Sequence, residues 1–114
     1  MRKLAALLTL TVAAAFFVTG SPARAAVVTI VATDFKFTPA VVHLKKGQIT
    51  TLHLKAAQGA HGLNVPEIGL KNTVITAAGT TVKVKPMKAG TFTAHCALYC
   101  GPGHTTMAMK FIVK

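Results

Sequence analysis

The stretch Gly90–Lys114, "GTFTAHCALYCGPGHTTMAMKFIVK", does most to decide how this sequence is interpreted. Apolar and polar residues alternate at both of its ends, which is the pattern of a β-strand with one buried face. In the first half Phe92 and Ala94 share a face, and in the second half Met109 and Phe111 do. The stretch therefore predicts two strands joined by the loop "CALYCGPGHTTM".

Six more short runs upstream have the same character, and turn residues separate them. They are "VVTIVAT", "DFKFTP", "VVHL", "ITTLHLK", "HGLNV" and "TVKVK". No window has a convincing helical period. Short alternating strands at this spacing predict an all-β fold, a Greek-key β-sandwich of seven to eight strands.

The N-terminal residues have the character of a secretory signal peptide. A basic start is followed by the apolar run Leu4–Val18 and by an A-x-A pattern that ends at Ala25. The run is shorter than the roughly 20 residues that span a bilayer, and no later segment is long and apolar enough to do so. We expect residues 1–25 to be a cleaved signal peptide, residues 26–114 to be one domain, and the protein to be periplasmic or otherwise exported.

The charge of the expected mature chain is strongly positive. Without Arg2, Lys3 and Arg24, the thirteen basic residues leave ten lysines and no arginine, against only Asp34 and Glu67, for a net charge of +8. A basic surface favours acidic proteins or anionic lipid as partners. Export and the absence of arginine argue against nucleic acid. The lysines are spread along the sequence, which is also typical of a solvated basic surface.

The period of two indicates which candidate ligands point inward. Cys96 is in phase with Phe92 and Ala94, and Met107 is in phase with Met109. One histidine, His61, is in phase with the apolar residues of its own run. Three others are out of phase with their apolar neighbours and are expected to face solvent: His43, His53 and His95.

The loop pattern Cys-x3-Cys-Gly-x2-His-x2-Met carries four candidate donors, Cys96, Cys100, His104 and Met107. Thiolate, imidazole and thioether are soft or borderline ligands, a set that selects copper over magnesium, calcium or manganese. The sequence 101–103, Gly-Pro-Gly, supplies the freedom and the fixed turn that a tight ligand loop needs.

Simpler interpretations of these residues remain open. Cys96 and Cys100 can form a disulfide in an oxidising compartment, but it would close a loop of only three intervening residues and leave His104 and Met107 unexplained. Zinc could use Cys2His2 donors, although it would not use Met107. Taken alone, Met107 is a common core gap-filler and His61 a satisfied, partly buried histidine. The disulfide remains a competing state of the metal-free protein.

At this point the residues resemble a known family. "CALYCGPGHTTM" resembles the binuclear copper (CuA) loop of cytochrome c oxidase subunit II. The segment His61–Lys71, "HGLNVPEIGLK", is similar to that family's His-x3-Val-Pro-x2-Gly-Leu-Lys motif, and Lys88–Cys96 is similar to its approach to the first cysteine. "DFKFTPAVVHLKKGQ" resembles the first strands of cupredoxins generally. The resemblance implies a cupredoxin-like domain and is strong from His61 to Met107.

The resemblance also implies a ligand set and a function. Cys96 and Cys100 would bridge two copper ions, His61 and Met107 would complete one of them, and His104 with the Leu98 carbonyl would complete the other. Such a centre performs one-electron transfer. The set looks filled, whereas an enzyme needs an open position, so we expect no catalytic activity.

Three departures from the family keep alternatives open. Oxidase subunits carry transmembrane helices before this domain, an acidic docking face and a tryptophan for electron uptake, and none of these is found here. The partner would then be an acidic redox protein, or an oxidase that receives copper. A periplasmic copper chaperone or storage protein is the first alternative. The second is a mononuclear blue-copper carrier that uses His61, Cys100, His104 and Met107.

Overall fold

The structure, a computed structural model, describes residues 26–114, so the predicted signal peptide lies outside the described residues. Its strands, in chain order, are β1 Ala26–Thr33, β2 Lys36–Thr38, β3 Val41–Leu44, β4 Thr50–Ala56, β5 His61–Val65, β6 Leu70–Ile75, β7 Thr80–Val84, β8 Gly90–His95 and β9 Ala108–Val113. Two single 3₁₀ turns interrupt them, Pro66–Ile68 before β6 and His104–Thr106 before β9. No helix within residues 26–114 has the length and apolarity needed to cross a membrane.

The strands form a sandwich of two layers. One sheet has the order β2-β1-β4-β7, and the other has the order β3-β9-β8. A bridge between Leu63 and Cys96 attaches the β5-β6 pair to the second sheet. Two pairs are parallel, β1 with β4 and β3 with β9, because the chain crosses between layers before it returns to each sheet. The predicted all-β sandwich is confirmed, and the described residues contain nine strands where seven to eight were expected.

The alternation in the sequence produces the core between the layers. In β4, Leu52, Leu54 and Ala56 are buried while His53 and Lys55 are exposed. Each large apolar side chain buried in this way contributes about 1.5–3 kcal/mol. The largest fully buried apolar side chains come from both layers and include Phe37, Phe111, Ile30, Leu52, Ile75 and Met109.

The sequence analysis did not predict one of these strands. β6, "LKNTVI", buries its first and last residues and leaves Val74 exposed, so it has no clean alternation. Asn72 adopts a positive φ of 40°, and the β5-β6 register shifts between Leu63 and Val65. An irregular ladder of this kind hides the period of two on which the prediction depends.

Candidate metal centre

The loop between β8 and β9 is closed by backbone hydrogen bonds at its base. Cys96 N donates to Met107 O at 2.9 Å, so the first and last candidate ligands of the loop lie side by side. The 3₁₀ turn shapes its far side, where Met107 N donates to His104 O at 3.3 Å. Met107 caps this turn, and β9 begins one residue later, but its side chain is fully buried as the alternation predicted.

The same loop is fastened to β5. Ala97 N donates to Gly62 O at 2.9 Å, beside the bridge between Leu63 and Cys96. A Cβ on Gly62 would lie 3.2 Å from the Leu98 N atom, closer than ordinary van der Waals contact. Glycine at position 62 therefore permits the approach that brings His61, its neighbour on β5, to the cysteines.

The two thiols are neighbours that are not bonded to each other. Cys96 Sγ and Cys100 Sγ lie 3.4 Å apart, well beyond the roughly 2.05 Å of a disulfide, and both cysteines are free. Cys96 is buried, whereas Cys100 is partly exposed. Two sulfurs at this separation can both contact one metal ion at the roughly 2.3 Å typical of a metal–thiolate bond.

The remaining candidate donors surround this pair. His61 Nδ1 and the Leu98 carbonyl oxygen lie 3.9 and 3.1 Å from Cys96 Sγ. His104 Nδ1 and Met107 Sδ lie 3.7 and 3.8 Å from Cys100 Sγ. The donor atoms of His61, Cys96 and Cys100 all lie within 4.8 Å of one another. The structure thus brings together all six residues that the sequence selected.

His61 is oriented by contacts on the far side of its ring. Its Nε2 lies 2.6 Å from the Gln58 carbonyl oxygen. A carbonyl only accepts, so Nε2 carries the hydrogen, and in the neutral ring this leaves the Nδ1 lone pair on the side of Cys96. The Asp34 carboxylate lies 3.7 Å from the same Nε2. A metal-binding histidine commonly has such a partner on its second nitrogen.

Gln58 also fixes the turn that carries Asp34. Its side-chain Oε1 accepts a hydrogen bond from Asp34 N at 3.2 Å, while its backbone oxygen accepts from His61. Gly59, with φ of +64°, makes the turn between them, and a Cβ at this position would lie 3.6 Å from Asp34 Oδ1. One glutamine therefore links the β1-β2 turn to the buried imidazole.

A phenyl ring supports the loop from beneath. The Phe35 side chain packs against the backbone of Gly101 and Gly103 so closely that a Cβ on Gly103 would overlap the ring, and one on Gly101 would lie 3.0 Å from it. Gly101 also has a φ of +127°, which a residue with a side chain rarely adopts. The Gly-Pro-Gly sequence is thus required for contact with Phe35 as well as for the turn.

Burial raises the pKa of the Cys100 thiol from 9.0 to about 11, and the neighbouring thiol of Cys96 and the charge of Asp34 contribute to the same shift. Near neutral pH the metal-free site therefore holds Cys100 as a thiol. A metal ion that binds there must displace this proton, so binding should strengthen as the pH rises.

The three remaining histidines are exposed, as the alternation in the sequence predicted. His43, His53 and His95 are all exposed, and His53 Nδ1 contacts the Thr81 hydroxyl at 2.9 Å. Sequence analysis missed Asp34, Gln58 and Phe35. Of these, only Asp34 gave a signal, as one of two acidic residues in the described chain.

The donors present fit copper. Two thiols, two imidazoles, a thioether and a carbonyl lie next to one another, and the donor cluster found among the described residues contains no carboxylate. This is the chemistry of a soft or borderline ion. The ligand role of the six residues stays a prediction.

Comparisons with known proteins agree with the fold. A family model described as a cupredoxin-like domain matches residues 4–113. An alternative cytochrome c oxidase subunit 2 of Bradyrhizobium diazoefficiens is 32% identical over 73 residues, which are 64% of this chain and 26% of that protein. The chain thus spans about a quarter of the length of this curated relative.

Solved structures share the sandwich at low sequence identity. The periplasmic domain of subunit II of cytochrome oxidase (CoxB) of Bradyrhizobium japonicum superimposes with a TM-score of 0.68 at 14% identity, covering 78% of this chain and 83% of that one. A chain from the mixed disulfide between a thioredoxin-like protein and subunit II of cytochrome c oxidase gives a TM-score of 0.65 at 13% identity, covering 86% and 88%.

Proposed function

Because this chain belongs to the family of cupredoxin-like domains, we propose that it is an exported copper protein whose binuclear, CuA-type centre transfers single electrons. The observation that carries the proposal is the pair of unlinked sulfurs of Cys96 and Cys100, 3.4 Å apart, with an imidazole beside each. A structural pair of cysteines would need neither imidazole.

Each of the six residues has a place in this centre. Cys96 and Cys100 would bridge the ions as thiolates, and the terminal ligands would be His61, His104, Met107 and the Leu98 carbonyl. When bound, two copper ions that share one charge supply one-electron transfer with little change in geometry. The chain supplies the rigidity: the loop is closed at its base, fastened to β5 and supported by Phe35.

The surface above the centre suits contact with a redox partner. Tyr99 is 75% exposed, and its ring lies 5.5 Å from that of His104. Leu98 and Val74 are exposed beside it and line one shallow cleft with Gly62. Aromatic and apolar side chains of this kind dominate the centres of protein interfaces. With a net charge of +8 on residues 26–114, the partner that we propose is an acidic redox protein.

The described strands are compatible with export. Cleavage after Ala25 would leave β1, described as Ala26–Thr33, within the domain. The proposed arrangement is a signal peptide at residues 1–25 and a periplasmic domain at 26–114. The similarity to a domain described as periplasmic supports it. N-terminal sequencing of the exported protein tests the cleavage site.

In an oxidising compartment the thiols must be reduced before copper binds. The comparison structure that pairs subunit II with a thioredoxin-like protein as a mixed disulfide supports a reductant of that class as a second partner here. Cys100 is the accessible thiol of the pair, so it is the one that such a partner would reach.

Copper delivery to an oxidase is the second candidate function. The partial exposure of Cys100 favours it, because an accessible thiolate can pass a metal ion to another protein. The absence of tryptophan points the same way. A mononuclear site is supported less well, since it would leave Cys96 unused although Cys96 is the buried thiol in contact with His61.

The test is to load the reduced protein with copper, count the ions and record the EPR spectrum. Two ions with one electron shared between them support the proposal, and one ion with a blue-copper spectrum contradicts it. Cys96→Ser should abolish the shared signal. Ala97→Ser, one residue away on the exposed side, is the matched control and should retain it.

A second assay separates electron transfer from delivery. The loaded protein is mixed with reduced acidic cytochrome and, separately, with a copper-free oxidase domain. Rapid oxidation of the cytochrome with copper retained supports electron transfer. Loss of copper to the domain without electron exchange favours delivery.

A further inference from the structure

Lysines that are scattered in the sequence gather in space at the end of the sandwich opposite the candidate metal centre. Three segments meet there: the turn after β3, the loop between β7 and β8, and the end of β9. We call this end the basic pole and define it by its five exposed lysines, Lys45, Lys46, Lys85, Lys88 and Lys114.

Backbone hydrogen bonds hold the three segments together. Lys46 N donates to Lys114 O at 2.9 Å, and Lys114 N donates to Leu44 O at 3.1 Å. Gly47 N donates to Pro86 O at 2.7 Å, which joins the turn to the β7-β8 loop. The lysines are thus fixed as one surface although up to 69 residues separate them in sequence.

No acidic side chain of the described residues compensates the charge of this surface. It holds half of the ten lysines in residues 26–114. The two acidic residues lie elsewhere, Asp34 beside His61 and Glu67 in the 3₁₀ turn before β6. Within residues 26–114, the lysine side chains take part in no ion pair. A solvated basic surface would spread its charge, as the sequence suggested, and this one does not.

Large apolar side chains are exposed at the same pole. Ile49 follows the lysine turn, Met87 lies between Lys85 and Lys88, and Val27 pairs with Thr51 at the adjoining edge. Val27 and Met87 are 62% and 64% exposed. Lysines interleaved with exposed apolar residues are the composition of surfaces that lie in the headgroup region of a membrane.

The chain also enters the domain at this pole. Ala26 pairs with Thr50, and Thr50 pairs with Val84 just before the lysine loop. The residues before Ala26 therefore join the domain at the basic pole.

We propose that the basic pole docks onto a bilayer that contains anionic phospholipid and turns the candidate metal centre away from the membrane. β8 leads from the pole at Gly90 to His95 beside the centre, a distance of about 17 Å at roughly 3.4 Å per residue. The attraction comes from lysines near anionic headgroups, and the three apolar side chains enter the interface. The proposal does not depend on copper.

The first experiment uses tryptophan, which the native chain lacks. Met87→Trp places one at the basic pole and Val74→Trp places one near the metal centre, both at exposed sites. Each variant is expressed from the full sequence and purified with the N-terminus that the cell produces. It is then mixed with phosphatidylcholine vesicles with or without one-third phosphatidylglycerol. Emission of Met87→Trp should shift to shorter wavelength on the anionic vesicles only, and that of Val74→Trp should not shift.

High salt should reverse that shift, because about 1 M salt shortens the screening length to roughly 3 Å. A shift for Val74→Trp, or for neither variant, overturns the proposal. The measurement is repeated with copper-loaded and copper-free protein. An equal emission shift with copper-loaded and copper-free protein would show that membrane docking does not depend on the proposed copper function.

The second experiment tests whether position, rather than net charge, is responsible. Lys46→Gln with Lys88→Gln removes two charges from the pole, and Lys36→Gln with Lys71→Gln removes two exposed charges elsewhere. We expect the first pair to weaken vesicle partitioning about thirtyfold and the second about twofold or less, given roughly 1 kcal/mol for each lysine near the surface. Equal losses overturn the proposal. So does binding of poly-glutamate through the pole without binding of vesicles, which would assign the surface to an acidic protein.

Discussion

Strands β8 and β9 run between two ends of the sandwich that differ in burial and in chemistry. At one end β8 and β9 are joined by the loop from Cys96 to Met107, whose donors are buried or partly buried and contact one another. At the other end the same two strands begin and finish among exposed lysines such as Lys88 and Lys114. One end is an extension of the core, and the other is an exposed surface whose segments are joined by backbone hydrogen bonds.

This difference separates the consequences of mutation. At the metal centre, Cys96, Met107 and His61 are both candidate ligands and core residues, so a change there alters stability and metal binding together. At the basic pole, side chains project into solvent and can change with little effect on folding. We therefore expect substitutions at the metal centre to change both stability and metal binding, and substitutions of side chains at the basic pole to change stability little.

The largest contrast should come from two methionines. Met107 is 0% exposed and Met87 is 64% exposed. We expect Met107→Ala to lower the free energy of unfolding of the copper-free protein by about 2–5 kcal/mol, through lost burial and a residual cavity. Met87→Ala should change it by about 0.5 kcal/mol or less. Urea denaturation of both variants under reducing conditions measures the difference.

Met107→Leu separates packing from ligation. It keeps most of the buried volume, so it should restore stability to within about 1.5 kcal/mol of the native chain, but it removes the thioether sulfur. Similar losses for Met107→Ala and Met87→Ala would contradict the description of the metal centre as part of the core.

The inward direction of Met107, Cys96 and His61 was predictable because a buried strand face repeats every second residue. That rule also assigned His43, His53 and His95 to solvent. It failed in β6, where the positive φ of Asn72 and a shifted register break the alternation. Local pattern thus predicts a side chain's direction wherever the ladder is regular.

Contacts between distant segments were not predictable in the same way. Phe35 beneath the loop and Gln58 behind His61 depend on how turns from separate strands meet. The basic pole is a further case, since Lys46 and Lys114 are far apart in sequence and adjacent in space. A single sequence does not show which residues of distant segments lie next to each other. These contacts can therefore be identified only in the folded structure.

The second prediction concerns pH and is confined to the metal centre. The pKa of Cys100 is raised from 9.0 to about 11 in the folded, copper-free protein. The unfolded chain therefore releases this proton at a lower pH than the folded chain. The resulting stability is fully present below pH 9 and is lost as the pH rises towards 11. Because Cys100 is partly exposed, solvent screening reduces the expected loss to about 1–2 kcal/mol.

Comparison with Cys100→Ser isolates this effect, since all other titrating groups are shared. Relative to the variant, the native chain should become less stable by that amount between pH 9 and 11, as measured by urea denaturation in the presence of a reductant. Ala97→Ser should follow the native curve. A stability difference between the native and Cys100→Ser chains that does not vary with pH would contradict the raised pKa of Cys100.

The third prediction uses glycines from the two ends. A Cβ on Gly103 would overlap the Phe35 ring, so Gly103→Ala should cost about 1–3 kcal/mol by overpacking and displace the ligand loop. Gly47 at the basic pole has open space around it but a φ of +77°, so Gly47→Ala should cost about 1 kcal/mol through backbone strain.

Asparagine distinguishes the two causes, because it tolerates a left-handed backbone but is larger than alanine. Gly47→Asn should be more stable than Gly47→Ala, whereas Gly103→Asn should be less stable than Gly103→Ala. Thermal unfolding of the four variants provides the measurement. The same order at both positions would mean that one mechanism acts at both ends.

The smallest effect should come from Asp34, whose carboxylate lies 3.7 Å from His61 Nε2. A negative charge on the far side of a ligand ring favours the more oxidised metal, so Asp34→Asn should raise the reduction potential of the copper-loaded centre. The carboxylate is partly exposed and screened by solvent, so an effect of about 0.7 kcal/mol, or roughly 30 mV, is expected. Redox titration followed by visible absorption measures it.

Glu67→Gln makes the same charge change in the turn before β6, away from His61. If contact with the imidazole matters, this control should shift the potential by only about a third as much or less, since a charge beyond roughly 10 Å is largely screened at moderate salt. Equal shifts would show that the centre senses only the net charge of the protein. That result would remove Asp34 from the group of residues that tune His61, and it would leave the Gln58 carbonyl as the contact that orients the ring.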